Sequence, residues 1–196
     1  MNFTQLFLIS ISAILIENFV LVKFLGICPF LGVSKKLDTA FGMGLSVIFV
    51  MTISSVFTYL AYRFLLVRFD LVYMRTVVFI LIIASIVQFT EILLKRFYRS
   101  LYNSMGIYLP LITTNCAILG VTILNVDNGY NFVSSVVFGF TAGLGFMLAI
   151  LIFSGIRARL EFAETPKAFE GVPITLVAAS LLALAFMCFQ GLKLPI

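Results

Sequence analysis

A cysteine followed by two apolar residues and then Leu-Gly-Val occurs twice in this sequence, as Cys28-Pro29-Phe30-Leu31-Gly32-Val33 and as Cys116-Ala117-Ile118-Leu119-Gly120-Val121. Thiolates bind soft metals and carry redox chemistry, so a thiol at the same place in two copies of one motif points to a site as well as to duplication. Structural zinc and iron–sulfur clusters take about four thiolate or imidazole ligands. The chain has three cysteines and no histidine. Two matched thiols are therefore half a site, which a like pair from a partner chain, or from a second copy by symmetry, would complete. Two other readings stay open: free cysteines packed as small hydrophobes, or a disulfide, which would leave one thiol over and lie out of reach of cellular redox systems. Cys188 lacks the Leu-Gly-Val context and reads as packing.

The elements that must position these thiols follow from composition. Of 196 residues, 62% are hydrophobic and 11% charged, and mean hydropathy is +1.19, too apolar for a soluble domain. Six apolar stretches run from Phe3 to Gly26, Ala40 to Tyr62, Val77 to Leu94, Leu101 to Val126, Phe132 to Phe153 and Val172 to Leu192. Each is long enough to cross the roughly 30 Å hydrocarbon core as a helix of about 20 residues. The expectation is an all-α integral membrane protein with six transmembrane helices in a single domain, 1–196. No basic residue precedes Phe3 and no small-x-small site follows the first stretch, so the first helix is expected to be retained.

The net charge of +5 fits orientation better than nucleic-acid binding. Loops one, three and five carry Lys35, Lys36, Lys95, Arg96, Arg99, Arg157, Arg159 and Lys167; the opposite side carries Arg63, Arg68, Arg75 and Lys193. The positive-inside rule then places the odd loops in the cytoplasm and both termini on the outer (periplasmic) side. The longest polar connections, Arg63 to Thr76 and Ser154 to Gly171, are too short for a nucleotide-binding domain. Gly42 with Gly44, and Gly143 with Gly145, sit inside apolar stretches and read as close helix packing, not a dinucleotide fingerprint.

Ala84-Ser85 in the third stretch matches Ala179-Ser180 in the sixth. The repeats, about 1–98 and 99–196, then hold three helices each, and an odd number inverts the second copy in the membrane. Such folds carry function near the midplane on broken helices. Glu17, Asn18, Lys23, Gly26 and Pro29 interrupt the first stretch; Gly106, Pro110, Thr113, Thr114 and Asn115 interrupt the fourth just before Cys116. Both thiols are thus expected at half-helix ends, where free backbone N–H groups stabilise anionic sulfur.

The run from Asn18 through Lys23-Phe24-Leu25-Gly26-Ile27-Cys28-Pro29-Phe30 to Gly32-Val33-Ser34-Lys35-Lys36-Leu37 resembles the A subunits of Rnf electron-transport complexes. So do Val87-Gln88-Phe89-Thr90-Glu91 and Leu109-Pro110-Leu111-Ile112-Thr113-Thr114-Asn115-Cys116-Ala117. The resemblance covers essentially the whole chain. The E subunits of the sodium-pumping NADH:quinone oxidoreductase share the outline, including a Glu-Asn pair like Glu17-Asn18, but Val20-Leu21-Val22-Lys23 and Cys28-Pro29 favour the Rnf branch.

The resemblance implies a subunit of a redox-driven translocase in the bacterial cytoplasmic (inner) membrane, passing electrons between ferredoxin and NAD coupled to Na+ or H+ movement. It implies a two-iron two-sulfur (2Fe-2S) cluster ligated by Cys28 and Cys116 together with two thiols of a homologous E subunit of opposite topology. Further partners would be the B, C, D and G subunits, with flavin and NAD held elsewhere. Glu17 and Glu91 are intramembrane carboxylates by placement, costly unless paired, hydrated or functional, and so candidates for an ion path. Glu17 can pair with Lys23, and Glu91, one turn before Lys95, can be interfacial. The competing expectations are a subunit of the quinone-reducing complex, or an inverted-repeat secondary transporter with incidental cysteines.

Overall fold

A computed structural model describes residues 3–69, 72–97, 111–112, 114–162, 166 and 169–191. Among these residues every regular element is helical. In chain order they are α1 (Phe3–Ile11), continued by a π-helical stretch Ser12–Ile16; α2 (Ile27–Val33); α3 (Leu37–Ala61), with a π-helical extension Tyr62–Leu66; α4 (Arg75–Phe97), entered through a 3-10 turn at Val72–Met74; α5 (Cys116–Asp127); α6 (Phe132–Leu160); and α7 (Val172–Met187), ending in a 3-10 turn, Cys188–Gly191. Among the described residues three spans are long and apolar enough to cross a membrane: Leu37–Leu66, Arg75–Ile92 and Phe132–Leu160. Shorter apolar helices occupy Leu6–Ile16, Cys116–Asp127 and Val172–Met187.

The first apolar stretch is not one helix. The Glu17 N–H closes onto the Ser12 carbonyl at 2.7 Å, and the chain then stays non-helical until Ile27. Phe24 (φ 57°) and Gly26 (φ 80°) adopt left-handed conformations, which cannot continue a right-handed helix. Backbone polar groups freed in this way must find other partners. Asn18, fully buried, supplies several: its Oδ1 accepts from the Val20 and Leu21 N–H groups at 3.1 and 3.2 Å. Its Nδ2 donates to the carbonyls of Ile14 (3.1 Å) and Gly145 (2.9 Å). Of the fourth stretch, Gly106, Pro110 and Thr113 lie outside the described residues, as does every other residue before Leu111.

The centre of the molecule is the antiparallel pair α3 and α6, where glycine lets the backbones approach. A Cβ on Gly143 would lie 2.8 Å from the Ile48 Cα, and one on Gly139 would lie 3.1 Å from the Met51 carbonyl oxygen. Gly145 meets the π-helical stretch in the same way, 3.1 Å from the Ala13 carbonyl oxygen. Of the glycines read from sequence as packing positions, Gly44, Gly143 and Gly145 do that here. Several hydroxyls in these helices satisfy themselves on the preceding turn, as Thr52 does on the Ile48 carbonyl and Thr141 on that of Val137.

Each end of this pair holds one short helix. Near the end of α6, Arg157 Nη1 donates to the Leu31 carbonyl (2.6 Å) and to Ser34 Oγ (2.9 Å), and Phe153 stacks on Phe30 with ring centroids 4.4 Å apart. These contacts fix α2 at the C-terminal end of α6. At the other end α5 finishes at Asp127, which pairs with Arg75 at the start of α4, and a short turn leads into α6. From their first residues α2 and α5 therefore run in opposite directions.

Candidate functional site

The starts of these opposed helices, each carrying one of the repeated cysteines, meet. Cys28 is the second residue of α2 and Cys116 the first of α5. The Gly26 N–H, two residues before Cys28, donates to Cys116 Sγ at 3.0 Å. The loop ahead of one thiol is thus hydrogen-bonded to the other thiol. Both are free and exposed on the surface of the chain, unlike the buried cysteines that a packing role implies.

Asn115 shapes this junction. Extended at φ −71°, ψ 109°, it caps α5, with its Oδ1 accepting from the Ala117 N–H at 3.0 Å. The same oxygen would be 3.1 Å from a Cβ at Gly26, and Ala117 Cβ and Phe146 Cε2 would be 3.1 and 3.0 Å away. Gly26 is therefore required twice, by its positive φ and by the space. Asn115 Nδ2 is buried and has no hydrogen-bond partner, a donor set beside a surface thiol. Among the described residues no group of three or more His, Cys, Asp or Glu could hold a metal ion. The arrangement is two exposed thiols on neighbouring helix starts, with a backbone donor already on one sulfur.

The other sequence candidates stand apart. Glu17 pairs with Lys23 at 3.8 Å, both partly exposed, as their spacing suggested. Glu17 also bears on Tyr130 in the turn after α5: burial first, then the Glu17 charge, hold that phenol above its usual range, and a hydrogen bond with Asn128 opposes the shift. Glu91 is half-buried on α4, and the Lys95 side chain expected beside it lies outside the described residues. Cys188, expected as a packing residue, is exposed, with its thiol 3.9 Å from the Leu184 carbonyl.

Sequence reasoning treated Asn115 as a helix breaker and missed its capping role, although Asn directly before an apolar run is a cap signal. It missed the Arg157 clasp on α2, for which long-range contact leaves no local signal. It also missed a buried polar cluster in which Asn125 Nδ2 donates to Ser55 Oγ (3.3 Å) and to the Ser135 carbonyl (3.5 Å), with Asn125 Oδ1 and Ser135 Oγ unpartnered.

A family model described as "Rnf-Nqr subunit, membrane protein" matches residues 6–193. A protein of Serratia proteamaculans, named as the A subunit of an ion-translocating oxidoreductase complex, is 54% identical over 189 residues, covering 96% of this chain and 98% of its own. A protein of Acetobacterium woodii, named as the A subunit of a Na(+)-translocating ferredoxin:NAD(+) oxidoreductase complex, has the same identity and coverage. The corresponding A subunit of Shewanella sediminis is 51% identical over the same length.

Proposed function

Since the chain belongs to the Rnf-Nqr family of membrane subunits, we propose that it is the A-type subunit of an ion-translocating ferredoxin:NAD oxidoreductase. In this reading Cys28 and Cys116 supply half the ligands of a 2Fe-2S cluster shared with a homologous subunit. The observation that carries it is the hydrogen bond from Gly26 to Cys116 Sγ, which brings the two halves of the repeated motif to one place at the surface. The names of the relatives favour ion-coupled ferredoxin–NAD chemistry over a simple transporter.

Such a cluster, when bound, supplies one-electron transfer. This chain's residues present the thiols and fix their surroundings. Gly26 donates its N–H to sulfur, and Asn115 orders the start of α5 through Oδ1 while Nδ2 offers a further donor. N–H groups at the starts of helices favour negative charge on nearby sulfur. Asn18 ties the non-helical segment to Gly145, so the loop carrying Gly26 is held by α6.

The reading includes six membrane crossings as two inverted repeats, with both termini on the outer side of the bacterial inner membrane. Two features support it. The shorter helices α2 and α5 start together and diverge. Ile48 and Gly143, which touch at the α3–α6 crossing, stand 95 residues apart, the spacing that relates Ala84-Ser85 to Ala179-Ser180. A residue that packs on its own repeat equivalent lies on the two-fold axis relating the copies. Glu17 and Glu91 are proposed for the ion path, Glu17 acting with Lys23.

The test is spectroscopic. The complex, purified with this chain, should give an electron paramagnetic resonance signal and acid-labile sulfide that disappear from the membrane subunits in Cys28→Ser and in Cys116→Ser. Persistence of the signal in both variants would refute the cluster assignment, and intact transport without iron would favour a secondary transporter.

A further inference from the structure

Helix α4 is poorly covered by its own chain. Only 17% of its apolar window is buried, against 50% and 56% for the windows in α3 and α6. The buried residues in that window are Phe79, Ile83 and Val87, one narrow stripe at four-residue spacing. On the opposite face Leu81, Ser85, Gln88 and Ile92 are all exposed. Their steps of four, three and four residues are those of a helix–helix seam.

An apolar face of this kind would be at home in lipid, but Gln88 is not. It lies four residues, about 6 Å along the helix axis, inside the Ile92 end of the apolar span, and thirteen, about 20 Å, from Arg75. That places its amide within a hydrocarbon core roughly 30 Å thick, off the midplane. Ser85 satisfies its hydroxyl on the Leu81 carbonyl. Among the described residues nothing hydrogen-bonds the Gln88 amide. A primary amide facing lipid at that depth costs free energy, whereas across a helix interface it finds a partner and sets register.

Beside the seam, α3 and α4 enclose an apolar groove of about 530 Å³ lined by Phe49, Ile53, Phe57, Leu81, Ser85 and Phe89, wide enough to seat a ridge of side chains. We propose that the Leu81–Ser85–Gln88–Ile92 seam is a docking surface for a transmembrane helix of another subunit, one carrying an amide or hydroxyl side chain opposite Gln88. This rests on the chain's place in a multi-subunit complex, but not on the cysteines or on any cluster.

Two arms test it in the intact complex. With p-benzoylphenylalanine at Ile92 in an otherwise unaltered chain, irradiation of native membranes should give an adduct with a single other subunit of the complex. Gln88→Leu should lower, by about 3- to 15-fold, the recovery of this chain with a tagged second subunit, the range expected for one interhelical hydrogen bond in a membrane, and Gln88→Asn should restore part of it. Adducts with lipid alone, or a homodimer of this chain, would overturn the proposal, as would unchanged recovery of Gln88→Leu. If Gln88→Leu does not accumulate, the crosslink decides. Neither readout depends on iron, so the result is legible whatever the spectroscopy of Cys28 and Cys116 gives.

Discussion

A methyl group at Gly26 would meet Phe146, Ala117 and Asn115 at once, on a backbone held at φ 80°. Gly26→Ala is therefore expected to destabilise the chain by about 1–3 kcal/mol, read as a lower thermal midpoint of the purified complex. Loss of the Gly26–Cys116 contact should also disturb any signal arising at the thiols. Removing the Asn115 amide tests the other donor: Asn115→Asp keeps the capping oxygen and loses Nδ2. It is expected to leave the complex assembled while shifting the midpoint potential measured at the site. At this scale the sequence was legible where residue type and repetition coincide, as for Cys28 and Cys116. It was silent about which neighbour donates to sulfur, because Gly26 acquires that role only when two segments 90 residues apart meet.

The seven residues of α2 are too few to be stable alone, since helices shorter than about 12 residues are marginal in water, and the helix is held by what it touches. Arg157 takes two acceptors at its C-terminal end and Phe153 stacks on Phe30. Arg157→Met keeps the length of the side chain and removes the donors. It should cost about 1–3 kcal/mol by leaving the Leu31 carbonyl short of a partner, and limited proteolysis should cut first near Ser34. The interruption before α2 was readable from Glu17, Asn18, Lys23 and Gly26, polar or permissive residues in an apolar run. The π-helical stretches Ser12–Ile16 and Tyr62–Leu66 were not, because composition does not distinguish i→i+4 from i→i+5 bonding when both keep the backbone paired.

Across the molecule the crossing of α3 and α6 decides the arrangement, and its tolerance is small. Gly143→Val would drive a branched side chain against the Ile48 backbone. It is expected to destabilise by at least about 1–3 kcal/mol, and Ile48→Ala in the same chain should restore little, since the clash is with a Cα. Apolar runs revealed the long helices. What hydropathy could not reveal was the pairing, for which every apolar face is equivalent until small residues choose one. The Asn18–Gly145 hydrogen bond also spans 127 residues, and this sets a schedule. At about 5–20 residues per second, synthesis reaches Gly145 roughly 6–25 s after Asn18 has been made. For that interval the nascent chain carries the Asn18 amide without its α6 partner. A chain stopped at Asn131 should accordingly be cleared by membrane proteases much faster than the full chain in a pulse–chase experiment, because the segment made first waits on a helix made later.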